Sequence, residues 1–288
     1  MRQRWKQAGL IFLSLLALAV ALFAFAHALR WLRIIPVVVT YGSAAITGSA
    51  ATIALLVYLA AVRWIERRPV TEFSPSPALP ELILGLVAGL MLFAFVIAIL
   101  WIAGAYQPLG WGSLDGIGFA FPLWLAVGVM EEIEFRGLVY RLCCAVFGTW
   151  GAIVVSGVLF GLVHGAAPGA TPMALTSVAI AGLMLGAAFA LTGRLWFPIG
   201  IHAGWNFAEG SLFGTAVSGG NLGASAIRAK LAGPELLAGG RFGPEASIVT
   251  VIVLLIATII LIWRVAKLPR VEPPIWRAGK EAPPMIET

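Results

Sequence analysis

Three short stretches hold the residues whose types and spacing could do chemistry together: EEIEFRG from Glu131 to Gly137, FGLVH from Phe160 to His164, and HAGWN from His202 to Asn206. All three lie in, or at the ends of, segments that are otherwise apolar. An ionisable side chain in such a place is costly and marks a functional site by default. Phe160 and His164 are spaced i,i+4, as are His202 and Asn206, so each pair shares a helix face one turn apart. Glu132 and Arg136 have the same spacing with the acid on the N-terminal side, the better orientation for an ion pair. Glu131 then points about 100° further round the helix. Arg136 can neutralise Glu132 and leave Glu131 free to face a cavity, which separates a structural carboxylate from a chemical one.

A carboxylate, two imidazoles and a carboxamide in a water-poor cavity suit the activation of one water molecule. The acid acts as base, one histidine holds the water, and the second histidine with the amide stabilises an oxyanion. Such a set hydrolyses an amide at membrane depth. Glu131, His164 and His202 also match a catalytic zinc ligand set with an open position, and the spacing alone leaves both readings open. The chain has no HExxH, and Asp115 is its one aspartate, so a two-aspartate mechanism is excluded. Glu134 falls between the motif positions and reads as incidental. Glu209, three residues after Asn206, could face the same cavity but reads rather as marking the point where its helix leaves the membrane, and His27 reads as a structural histidine without partners.

The elements that must position these groups are membrane helices. The chain has 288 residues, 60% hydrophobic and 11% charged, with a mean hydropathy of +0.97, against roughly 25% charged residues in soluble chains. Apolar runs near 8–29, 38–62, 82–104, 117–140, 150–165, 174–192, 196–214 and 247–263 predict an all-α polytopic transmembrane bundle of about eight spans, with seven as the alternative count. The first run is too long and lacks the cleavage site of a signal peptide. The predicted organisation is one transmembrane domain, 1–267, with a catalytic core at about 117–214 and a polar cytoplasmic tail at 268–288. The formal charge of +6 comes from basic residues flanking apolar runs, the pattern that sets topology, which argues against nucleic acid as a partner and for both termini in the cytoplasm. Pairs at Gly157/Gly161, Gly182/Gly186 and Gly200/Gly204 predict close packing of the fifth, sixth and seventh spans, which would gather the histidines and Glu131. Gly85/Gly89 on the third span has no such polar neighbours. The adjacent Cys143 and Cys144 suit a cytoplasmic helix end better than a disulfide.

EEIEFR, FGLVH and HAGWN match EExxxR, FxxxH and HxxxN, in that order and on successive late spans. Over roughly residues 117–214 the chain resembles the CAAX protease and bacteriocin-processing family of intramembrane proteases, also called type II CAAX prenyl endopeptidases. The resemblance implies that Glu131 and His164 position and activate the water, that His202 and Asn206 form the oxyanion site, that Glu132 and Arg136 support the helix, and that Phe160 shapes the pocket. It implies no cofactor, with zinc as the alternative, and a membrane-associated peptide or protein as substrate, prenylated in the family's eukaryotic members. The Ala- and Gly-rich composition fits a bacterial plasma membrane. A transporter with a buried Glu/His relay and a non-proteolytic scaffold are the competing readings, the former disfavoured by the absence of internal repeats.

Overall fold

The structure, a computed structural model, describes all residues except 32–41, 116, 222–224, 270 and 278–288, and for 27, 29–31, 42–44 and 119 it describes the backbone alone. The expectation for the His27 side chain, the start of the second predicted span and the end of the predicted tail therefore lie outside the described residues. The helices are α1 (Arg2–Trp31), α2 (Gly42–Ala60), α3 (Ala78–Ile102), α4 (Ile117–Glu132), α5 (Arg141–Val163), α6 (Pro172–Thr192), α7 (Trp196–Asn206), the short α8 (Glu235–Ala238) and α9 (Ile248–Val265). Among the described residues six helical stretches are long and apolar enough to cross a membrane, and one of them, Ala120–Ala166, holds α4 and α5 in 47 residues. Gly148 bends that stretch with φ 72. The fold is the predicted all-α membrane bundle, and its count of about eight passes comes from the folded long stretch and from the shorter α7. The outer faces carry exposed Phe12, Val20, Leu84, Met91, Ile256 and Ile260, as expected where lipid rather than water covers the helices.

Local chemistry explains the helix boundaries. The Thr171 side chain caps α6 by accepting from the Ala174 N–H at 3.2 Å, Pro172 occupies the first turn where its missing N–H costs nothing, and Gly193 ends the helix in the left-handed conformation. Ser247 caps α9 by accepting from the Thr250 N–H at 3.1 Å. At Gly148 a side chain is excluded twice. The positive φ disfavours one, and a Cβ would lie 2.7 Å from Pro273 and 2.8 Å from Pro274. That contact is part of a strap. Thr149 N–H donates to Glu272 O and Ile275 N–H to Val146 O, both at 3.0 Å, and Ile275 is buried. Residues 272–277 of the predicted polar tail thus lie against the bend of α5.

Glycines set the closest helix approaches, in a different arrangement from the expected one. On α5 and α6, Gly157 faces Gly182, where an added Cβ would lie 2.8 Å from its partner's Cα. Gly200 and Gly204 of α7 instead interlock with α3, where a Cβ added at Gly200 would lie 2.9 Å from Gly85 Cα and one added at Gly204 would lie 3.0 Å from Leu86 Cα. The pair on α3 that had no polar neighbour is the socket for α7. Small-residue faces allow backbones to approach, but a GxxxG does not say which helix fills it.

The bundle has two knitted ends. At one, Arg141 pairs with Glu66 and Glu72, Arg68 with Glu72, Leu195 N–H donates to Glu72 O at 2.9 Å, and Arg4 donates to Cys144 O and Pro273 O at 2.8 and 2.7 Å. At the other, two strands that the sequence reading did not foresee, β1 (Tyr106–Trp111) and β2 (Ile227–Leu231), pair antiparallel with a bulge between Pro108 and Gly110. There Gly219 N–H donates to Phe242 O at 2.8 Å and Tyr106 Oη to Phe213 O at 2.9 Å.

Candidate active site

After Glu132 the backbone of α4 widens into a π-helical run, Ile133–Tyr140, and after Asn206 α7 does the same over Phe207–Leu212. Such widened turns recur at functional sites because they re-aim side chains. Arg136 stays within reach of Glu132: its Nη1 donates to Glu132 Oε1 at 2.9 Å, and both side chains are fully buried. Its Nη2 donates to the Gly182 carbonyl of α6 at 2.9 Å, so the arginine ties α4 to α6 at the point where Gly182 offers bare backbone.

Glu132 has a second partner that helix spacing did not reveal. His202 Nδ1 lies 2.9 Å from the same Oε1. A carboxylate only accepts, so Nδ1 carries the proton and donates. The imidazole is thereby fixed with Nε2 directed toward Glu131, whose Oε2 is 3.8 Å away, a separation too long for a direct hydrogen bond. His164 is fixed in the same manner by its own helix, with Nδ1 donating to Phe160 O at 2.8 Å, which leaves its Nε2 for another partner. Phe160 sits at the centre. Its ring meets Phe135 and His164 at 4.9 Å and His202 edge-on at 6.0 Å, and the Arg136 guanidinium lies over it at 4.7 Å. It packs between the ion pair and the two imidazoles.

Glu131, Phe160, His164, His202 and Asn206 all line one cavity of about 220 Å³. Glu132 and Arg136 stand behind it. Glu131 is partly accessible, with 23% of its side chain exposed, whereas Asn206 is buried. Glu134 lies outside the lining. Glu209 corrects its expectation: it is wholly buried rather than at a helix exit, and neither of its oxygens has a hydrogen-bond partner among the described residues. Among the described residues no group of three His, Cys, Asp or Glu side chains is placed to hold a metal ion.

The cavity also contains residues that the motifs did not point to. Ser177 presents a buried hydroxyl with no partner among the described residues. Glu245 lines the cavity with Ser218. Its Oε1 accepts from Trp205 Nε1 at 3.1 Å, and its Oε2 from Ser218 N and Oγ at 2.9 and 2.8 Å. No signal near GPEA marks Glu245. Its only sequence cue is an acid just ahead of a long apolar run.

Fold and site define a polytopic helical membrane protein whose buried acid–imidazole cavity is built by the late helices. The family model described as Type II CAAX prenyl endopeptidase Rce1-like matches residues 113–208, about a third of the chain, and that segment contains Glu131, Glu132, Arg136, Phe160, His164, His202 and Asn206. The family resemblance is shown over this segment, and it supports a peptidase activity. No curated protein and no solved structure matches the chain.

Proposed function

We propose that this protein is an intramembrane endopeptidase that cuts a membrane-associated peptide with a water held between Glu131 and His164. The observation that carries the reading is the convergence of Glu131, His164, His202 and Asn206 on one cavity, with both imidazoles already oriented through Nδ1. Glu131 takes a proton from the water while His164 Nε2 holds it, and the water oxygen attacks the scissile carbonyl carbon. The carbonyl oxygen becomes an oxyanion that accepts from the Asn206 amide and from His202 Nε2. To donate there, His202 carries a proton on each ring nitrogen. The C–N bond then breaks and Glu131 returns its proton to the leaving amine. Nothing in this sequence requires a metal.

The test is cleavage of two fluorogenic peptides, one farnesylated and one carrying an acyl anchor, by protein in lipid nanodiscs. Glu131→Gln keeps size and removes the base, and such losses reach about 10²–10⁴-fold. A Glu131→Gln variant that cuts at the wild-type rate ends the proposal. Added chelator is expected to leave the rate unchanged, whereas the zinc alternative requires its loss.

A further inference from the structure

We infer that the cavity opens on the non-cytoplasmic face of the membrane, and that its substrate is a peptide segment presented there, exported or anchored with its cleavable bond outside. The substrate half rests on the hydrolase reading, and the sidedness does not. The first observation is where the lining comes from. The lining begins in the first halves of α4, α6 and α9, at Trp124, Ser177 and Leu254, and reaches down to Glu131 and Leu185, while His164 follows the last residue of α5. The loop residues in the wall, Val217, Ser218 and Glu245, all come from the end of the bundle that carries the β1–β2 pair. No residue of the opposite loops, 61–77, 141–149 or 193–195, lines the cavity.

The second observation is charge. The opposite end gathers the N-terminus, the α2–α3 connection, the start of α5, Arg194 and the strap 272–277. Among the described residues the Lys and Arg in or beside the connections at the cavity's end are Arg30, Arg228, Lys230 and Arg241, against Arg4, Arg63, Arg67, Arg68, Arg141, Arg194, Arg264 and Lys267 at the opposite end. Basic residues flanking spans stay in the cytoplasm, so the basic end is cytoplasmic and the cavity's loop-built wall faces away from it. A peptide confined to the cytosolic surface does not meet this opening. One arriving from the other side meets Ser218 and Glu245 first, then Asn206, His202 and Glu131.

Single-cysteine reporters test the sidedness without any need for activity. Cys143 and Cys144 are changed to Ala, and either Leu236→Cys, exposed on α8 beside the cavity's end, or Ser76→Cys, exposed at the basic end, is added. With an impermeant maleimide on intact bacterial host cells, Leu236→Cys is expected to label and Ser76→Cys to label only after permeabilisation. The reverse pattern overturns the inference. A second measurement does not depend on these variants. The wild-type protein is given an impermeant acyl-anchored peptide either on spheroplasts or on inverted vesicles, with Glu131→Gln as the blank. Cleavage on spheroplasts alone is expected. Cleavage on inverted vesicles alone overturns the inference and leaves the hydrolase reading standing. Outside labelling of Leu236→Cys with no cleavage from either face overturns the substrate half together with that reading, and leaves the sidedness intact.

Discussion

Glu132 Oε1 accepts from both Arg136 and His202, so one oxygen serves a structural ion pair and the orientation of a functional ring. The two duties can be separated. Removing one member of a buried pair strands the other charge and costs about 3–5 kcal/mol, while replacing both members by apolar residues is often neutral. Arg136→Met alone is therefore expected to lower the thermal midpoint in detergent sharply. The double variant Glu132→Leu/Arg136→Met should recover most of that loss, yet its cleavage rate should stay low, because His202 no longer has an acceptor for Nδ1–H. Stability returning together with full activity would show that Glu132 does not position His202. Phe160 shares in this arrangement, since its ring contacts both the guanidinium and the imidazoles.

At the scale of elements, α7 brings His202 and Asn206 to the cavity because its opposite face is sunk into α3. At Gly204 a Cβ would meet Leu86 backbone at 3.0 Å, whereas at Gly48 nothing lies within 4 Å. Gly204→Leu should thus cost at least the ~1–3 kcal/mol of overpacking and move His202. Gly48→Leu should leave the thermal midpoint nearly unchanged, and equal effects at the two positions would remove the glycine seam from the account. The same seam shows what the sequence could and could not convey. EExxxR, FxxxH and HxxxN were legible because helical spacing fixes which side chains share a face, and an apolar surround makes each polar one conspicuous. The partner of Gly200/Gly204 was not legible, since small residues mark a close approach without naming the neighbour. Nor was the bond from His202 to Glu132, which joins two helices, or the place of Glu245, which lines the cavity from beyond the family segment. The full burial of Glu209 was not legible, since an acid three residues after Asn206 fits a buried face and a helix exit alike.

Across the whole molecule, the basic end is held by one ionic network that joins α1, α2, the loop before α3, and α5. Glu66 is its shared acceptor, reached by Arg141, by Arg68 at 2.9 Å and by Ser14 Oγ at 3.3 Å. Burial works to raise the Glu66 pKa, but the hydrogen bonds and charges of Arg141 and Arg68 outweigh it and hold the group below its ordinary 4.5. A carboxylate held low in the folded chain contributes stability that is present in full above the unfolded value. That contribution drains away as pH falls from about 4.5 through the lower folded value, because the unfolded chain takes up the proton first. Thermal midpoints measured in detergent from neutral pH downward should therefore fall steeply at the acid end for the wild-type protein. The Glu66→Gln variant should start lower and fall less over that window. Parallel curves for the two proteins would mean that acid unfolding begins elsewhere. The network would then be an ordinary surface cluster rather than the fastening that keeps α1, α2 and α5 together beneath the cavity.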